Sequence, residues 1–444
     1  MLTHLRVENL KSVSDSGPLQ LRPLTFLMGP NSSGKSTLLQ AILLARQTVD
    51  SRDVANPLVT EGAYVKLGAY RDFIHRHDRS RRLRLEIGVQ PDNRLTLEPG
   101  GAAAGVVDSL RMMAEFSYNQ KTFAIFPTVV SYATSPTVLE VTKRRVTRER
   151  STIEMQYEGK PLRVSVHVPG KFYDIARGAF PLLYNTRYAP SVVRREPLPV
   201  FLTREFEAAL NKTFYVGPLR TGPLRTYVAA GETPQDVGFQ GEATFAILWA
   251  ARWNRRLQQS VFRPSSEWLR RFDMAARLDL ERVGGTHFRL LFTDPTTGIQ
   301  ASFADVGFGA SQLLPAIVQS LYAPRGSTII MEQPEIHLHP AAQGTLGDLF
   351  IEGTRLGKQL IIETHSEHLV SRVLRRVAEG ALSRDKVAIY YCSPSEAGTQ
   401  VKEIELDEFG RFGEGLPPGF FEEAYKESLA HVQAMAARSA SGVE

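Results

Sequence analysis

The chain has 444 residues, room for about three domain-sized units of ~150 residues. Hydrophobic residues make up 43% and charged residues 23%, which excludes a disordered or fibrous chain; no apolar run reaches the ~20 residues of a bilayer-spanning helix. A net charge of +6 permits DNA as a partner without requiring it, while a single cysteine, Cys392, and an opening segment unlike a signal peptide predict a cytoplasmic protein with no membrane partner.

Near the start, Leu5, Val7 and Leu10 are spaced as in an edge strand, and the apolar run 24–28 ends at a glycine. Together they predict the opening of one sheet. Leu38, Leu39, Ile42 and Leu43 recur at helical spacing, so the glycine-rich stretch 29–34 joins a strand to a helix. This first part of a head spans 1–64. From 65 to 216, short alternating segments at 83–89, 152–157 and 162–168 are broken by Gly, Pro and Asn, which predicts a mostly β insertion. A helical subdomain and return follow at 217–300, with Trp249, Trp253 and Trp268 expected in the core. Residues 301–392 alternate: strand 328–331, helix 341–356, strand 359–363, helix 367–379, strand 386–391. Such alternation predicts parallel α/β packing. A C-terminal segment occupies 393–444, its last residues, 439–444, read as disordered; no repeat and no coiled-coil heptad run is present.

The chemistry concentrates in four places. Residues 29–36 (GPNSSGKS) match G-x-x-x-x-G-K-[ST] in full. In that pattern backbone N–H groups around Gly29, Asn31, Ser32, Ser33 and Gly34 converge on phosphates at a helix N-terminus. Lys35 reaches the β- and γ-phosphates, and Ser36, followed by Thr37, ligates magnesium. The run 328–331 ends in Glu332, Gln333, Pro334 and Glu335. A carboxylate at the end of a buried strand is costly without a cation, so Glu332 is the expected magnesium-side acid. A second strand ends in Glu363, Thr364, His365 and Ser366, placing His365 where open α/β sheets put their ligands, next to a γ-phosphate. Finally, Gly307, Gly309, Ser311 and Gln312 lie in a glycine-rich stretch before an apolar helix. Phosphate binding and simple helix capping by Ser311 or Asp305 are equally good readings of it.

Taken together, residues 5–12 (LRVENLKS), the Walker A segment 29–36, the signature-like segment 305–312, residues 332–340 (EQPEIHLHP) and His365 resemble the ABC-type ATPase heads of SMC proteins, double-strand-break repair proteins and the overcoming-lysogenization-defect family. Residues 215–220 (YVGPLR), 307–315 (GFGASQLLP), 363–367 (ETHSE) and 418–423 (PGFFEE) look like a bacterial family of AAA-type ATPases with that C-terminal segment, in a wider group often found in anti-phage defence. The resemblance implies an α/β P-loop head using ATP and Mg2+. It also implies a homodimer or higher homo-oligomer, in which ATP is held between Walker A of one copy and Gly307, Gly309, Ser311 and Gln312 of the other, and a separate effector protein. One residue departs from the pattern. Gln333 stands where the general-base glutamate usually follows the magnesium-side acid, which predicts slow hydrolysis, with Gln333 orienting water and Glu335 or Glu363 supplying the base.

Competing readings are weaker. His337, His339 and His365 make a poor zinc set, because His-Leu-His shares a face only in a strand. A nuclease activity lacks a paired-carboxylate pattern, and the tail is too short for an appended nuclease domain. A scaffold that binds ATP without hydrolysing it remains a true alternative to the switch. For DNA, the basic clusters 76–84, 143–150 and 194–195 are candidates, with Arg220 and Arg225 fitting either phosphate contact or acid pairing.

Overall fold

The computed structural model describes residues 1–53, 56–91, 95–99, 105–136, 139–145, 151–157, 160–166, 183–189, 192–229 and 231–413. A six-stranded sheet runs in the order Thr213–Val216, Thr328–Glu332, Gln359–Glu363, Leu24–Met28, Val387–Ser395, Gly398–Glu403. Its first five strands are parallel, and Gly398–Glu403 closes the edge antiparallel. These strands read as unbroken apolar runs because both faces are covered. On one face Leu27, Tyr215, Ile330, Ile361 and Ala388 pack into a core with helix Lys35–Asp50 and the antiparallel strands. On the other, Phe26, Met28, Ile329, Met331, Ile362 and Ile389 pack with helices Phe308–Tyr322, Pro340–Arg355 and Glu367–Ala378.

Helices Pro340–Arg355 and Glu367–Ala378 fall within a residue of the expected ends, as does the strand Gln359–Glu363. Two expectations about the first third are corrected. Leu2–Leu10 is not an edge strand and does not share a sheet with Leu24–Met28. It lies inside a second, twelve-stranded antiparallel sheet, between Leu83–Val89 on one side and Val13–Asp15 with Leu19–Gln20 on the other. The segment expected as an insertion is therefore continuous with the first strand through the Leu2–Leu10 and Leu83–Val89 pairing. It also includes the helix Leu198–Asn211, and its last strand, Thr213–Val216, belongs to the parallel sheet.

The stretch expected as helical also carries a third sheet, Arg277–Gly284 with His287–Thr293 and two short strands, which packs beside helices Thr244–Trp253 and Arg263–Arg271 in the same core as the second face of the parallel sheet. Trp268 is buried there as expected, and Trp249 is half-buried against Phe288. Trp253 is 65% exposed, contrary to its expected core position. It sits in the last turn of its helix, turned to solvent beside Arg252. Residues 418–423 and 439–444 lie outside the described residues.

Candidate functional site

The strand Leu24–Met28 runs into the glycine-rich loop, and helix Lys35–Asp50 leaves it. Two glycines are required by their surroundings. Gly29 has φ 136° and a Cβ there would overlap the Cys392 carbonyl oxygen; Gly34 has φ 92° and a Cβ would strike Thr399 Oγ1. Neither position tolerates an L side chain. Asn31 and Ser32 are exposed on the loop, Ser33 and Thr37 are buried, and Ser33 Oγ has no hydrogen-bond partner. Lys35 is buried, its Nζ donating to the carbonyl oxygens of Gly29 at 3.0 Å and Pro30 at 2.8 Å. Burial lowers its pKa, an effect opposed by Glu363.

Acids line the carboxyl edge of the sheet beside this loop. Glu332 and Glu363 end adjacent parallel strands in register, and Glu363 lies opposite Leu27 on the loop's own strand. Tyr215 donates its hydroxyl to Glu332 Oε1 at 2.7 Å, while Ser36 donates to Glu363 Oε1 at 3.1 Å. The row across the edge is thus Tyr215, Glu332, Glu363, Ser36. Glu335, in the turn after the first acid, accepts from the His365 backbone N–H at 2.8 Å. Burial pushes the Glu332 and Glu335 carboxyls above their ordinary range, and burial with the neighbouring Glu332 pushes Glu363 up to about 7. Partial burial, then Lys35, lowers the pKa of the exposed His365.

The arrangement fits a magnesium–nucleotide. Glu363 Oε2 and Glu335 Oε2 are buried with no hydrogen-bond partner, a state that costs free energy until a cation or water arrives. A serine hydroxyl with carboxylate oxygens is the hard donor set Mg2+ takes, and Mg2+ completes its shell with waters and phosphates. No group of three His, Cys, Asp or Glu side chains able to hold a metal is found among the described residues. His337 and His339 are exposed on either side of the buried Leu338, and His339 caps the helix Pro340–Arg355.

Gln333 follows the first acid at φ 44°, and its backbone N–H donates to the Glu363 carbonyl at 2.8 Å. A positive φ at a non-glycine residue is strained, and such residues cluster at functional sites. In the glycine-rich segment, the capping alternative is not what the structure has. Gly307, not Ser311 or Asp305, is the N-cap of Phe308–Tyr322, without a side-chain cap bond. Ser311 and Gln312 are turned inward: Ser311 Oγ donates to the Phe308 carbonyl at 2.7 Å, and Gln312 Nε2 to Ser311 Oγ at 3.3 Å. What faces outward is Gly307, with open space beside it, and Phe308, half-exposed and edge-on to His337 at 5.0 Å.

Sequence reasoning missed the tie between this segment and the acids. Arg220 is buried and donates to the Gln312 carbonyl and the Glu332 carbonyl, both at 3.1 Å. Burial lowers its pKa to about 10. Arg225 pairs with Asp305 at 2.7 Å. Both arginines therefore serve inside the chain, and the YVGPLR stretch was the signal available for Tyr215 and Arg220. Three arginines of the basic cluster 76–84 pair with acids, Arg81 with Asp78, Arg82 with Glu115 and Arg84 with Glu8 and Glu86, and Arg76 donates to the Glu396 carbonyl. The side chains of 144–150 and of 194–195 lie outside the described residues. A second basic surface occurs in a cavity of about 1040 Å3 beside helices Arg263–Arg271 and Pro340–Arg355, whose lining also includes Glu267 and Glu352. Arg256, Arg263, Arg271, Arg325 and Lys358 line it, and Arg256, Arg263 and Arg325 have no carboxylate partner among the described residues.

Two family matches bracket this site. Residues 24–98 match the family described as "AAA domain, putative AbiEii toxin, Type IV TA system", and residues 257–370 match "AAA ATPase domain". The chain carries an AAA ATPase domain. The first match contains the glycine loop with Lys35 and Ser36; the second contains Gly307, Glu332, Gln333, Glu335, Glu363 and His365. The two matched stretches thus carry the two parts of the candidate site. Solved structures similar to the chain include an SMC head domain from Thermotoga maritima, at 12% identity and TM-score 0.37, covering 91% of this chain and 99% of that one. A second is an Smc head bound to the C-terminal winged-helix domain of ScpA, at 11% identity and TM-score 0.43, covering 91% and 98%. A third is an Smc head with an extended coiled coil bound to the C-terminal domain of ScpA, from Pyrococcus furiosus, at 10% and 0.41, covering 91% and 96%. No curated protein matches the chain. No helix of the described residues is long and apolar enough to cross a membrane.

Proposed function

We propose that the AAA ATPase domain is a slow ATP-driven switch, which closes head to tail with a second copy around ATP and Mg2+ and so controls a separate effector protein. The observation that carries this reading is the meeting of Lys35, Ser36 and three buried acids at one sheet edge, with unpartnered oxygens on Glu363 and Glu335. Such a site recognises a polyphosphate with its cation, and the γ-phosphate supplies a differential contact that favours a closed state. The outward-facing Gly307 and Phe308 are the surface that meets the partner copy's nucleotide, through backbone N–H groups at a helix N-terminus. Gln333 in place of a carboxylate makes turnover slow. A role in anti-phage defence follows from the family resemblance alone.

DNA, where it binds, follows Arg256, Arg263 and Arg325 of the 1040 Å3 cavity rather than the cluster 76–84, in which Arg81, Arg82 and Arg84 pair with acids. A scaffold that holds ATP without turnover is the second reading, favoured by Gln333. One experiment separates them: ATP hydrolysis by the full chain, with and without duplex DNA at low and high salt, beside Lys35→Ala and the pair Arg256→Glu with Arg263→Glu. The switch requires slow hydrolysis that disappears in Lys35→Ala. A DNA stimulation that falls with salt and with the paired charge reversal supports the cavity. ATP binding with no turnover in any arm would leave the scaffold, and no ATP binding at all would end both readings.

A further inference from the structure

Seven arginines crowd residues 252–277 against two acids, Glu267 and Asp273. Arg270 and Arg271 share Glu267, and Arg277 pairs with Asp279. Arg252, Arg255, Arg256 and Arg263 are left with no carboxylate partner among the described residues, and the last three are exposed. Beside them stands Trp253, 65% exposed although tryptophan is ordinarily a well-buried side chain. We propose that this surface binds single-stranded nucleic acid, with Trp253 as the platform on which a base stacks and Arg252, Arg255, Arg256 and Arg263 as the contacts to its phosphates. The proposal rests on the reading of the 1040 Å3 cavity as the place for DNA and names the form that binds there; it does not involve the ATP site.

Two features favour a single strand over a duplex. A base gains by stacking on an exposed aromatic ring only when its own face is free, as it is in an unpaired strand. The Trp253 ring is held ready for one, edge-on to Trp249 at 5.7 Å, and Trp249 stacks in turn on buried Phe288 at 4.6 Å. Arg252 lies over the Trp253 ring at 5.3 Å and over the buried Phe262 ring at 5.7 Å, which keeps a positive charge beside the platform. The second feature is that the arginines follow one concave track. Arg252 and Arg263 line a cavity of about 300 Å3, and Arg263 lines the 1040 Å3 cavity as well, with Arg256 and Arg325. A flexible strand can follow such a track where a rigid duplex cannot. The acids of the larger cavity are already paired, Glu267 with Arg270 and Arg271 and Glu352 with Arg355. Between Arg256 and Arg263 the chain makes a π-helical turn, Gln258–Phe262, a feature frequent at functional sites.

The test measures binding rather than turnover. Labelled oligo-dT, oligo-U of the same length, a mixed-sequence duplex and a poly-Glu peptide are titrated into the full chain over a range of salt. The proteins are wild type, Trp253→Ala, Trp253→Phe and the pair Arg255→Ala with Arg256→Ala, each with a melting curve; alanine suits the exposed last turn in which Trp253 sits. Wild type should bind an oligonucleotide more tightly than the duplex, and the better of dT and U names the sugar it takes. Trp253→Ala should weaken that binding by at least about fivefold, the loss of one stacked base, and Trp253→Phe should recover most of it. The arginine pair should reduce the slope of log affinity against log salt by about 1.4, two phosphate contacts on a single strand. Duplex binding as tight as that of the oligonucleotides, or an oligonucleotide affinity that Trp253→Ala leaves unchanged, overturns the inference; duplex binding that weakens in the arginine pair then leaves the cavity reading standing. Poly-Glu bound as tightly as the oligonucleotides overturns it in favour of an acidic protein. No nucleic-acid binding by wild type ends both the inference and the DNA reading, and leaves the ATP switch to its own test.

Discussion

Gln333 is the residue at which this site departs furthest from its relatives by resemblance. Its backbone is held at φ 44° by the bond to Glu363, so a side chain placed there points from a fixed base. A glutamine orients water but cannot take its proton, whereas general-base catalysis contributes about 10²–10⁴-fold. Gln333→Glu should therefore raise the rate of ATP hydrolysis by at least about tenfold with little change in ATP affinity. An unchanged rate would show that another group already serves as base. Lys35, Ser36, Glu332 and His365 are legible as candidates because each closes a strand or opens a helix in a spaced motif, and Glu363 only as an alternative base. The pairing of Ser36 with Glu363 was not, since it depends on which strand lies next to the loop. Nor was the inward turn of Ser311 and Gln312, which follows from the packing of the first helical turn around Phe308 and Arg220.

Between elements, the side chains of Gln359 and Tyr390 join the two large sheets, Tyr390 through the Gln20 backbone. Gln359, buried on the central parallel strand, accepts from the Leu2 N–H at 2.9 Å and the Thr328 hydroxyl at 2.8 Å, and donates to the Leu2 carbonyl at 2.7 Å. Its amide thereby satisfies the first strand of the antiparallel sheet, and its loss orphans buried backbone groups. Gln359→Ala should cost about 3 kcal/mol in denaturant unfolding, the penalty for leaving such groups unpaired. A loss below about 0.5 kcal/mol, the level of an ordinary surface change, would contradict the role. The alternating strands and helices of 328–391 were readable because both faces of each strand are apolar and each helix follows directly. Leu2–Leu10 was readable as a strand but not as an interior one: its side-chain alternation fixes a face, and the partner, Leu83–Val89, lies more than seventy residues away in sequence. Trp253 shows the reverse error, an aromatic residue whose helical position alone turns it to solvent.

For the molecule as a whole, the glycine loop comes from the first tenth of the sequence and the segment at Gly307 from its last third, and the described contacts of the latter run to Arg220, Arg225 and His337. Gly307 and Phe308 are left facing outward, the arrangement a second copy would complete. The central claim is that ATP is held between two chains. Its most direct test is the mass in solution by light scattering, with ATP and Mg2+ and without, for wild type and Lys35→Ala, both carrying Gln333 to keep turnover slow. The account predicts that wild type shifts from one chain of 49.4 kDa toward twice that mass only with ATP, and that Lys35→Ala stays unchanged. A wild-type mass that does not respond to ATP, under conditions where ATP is bound, would contradict it.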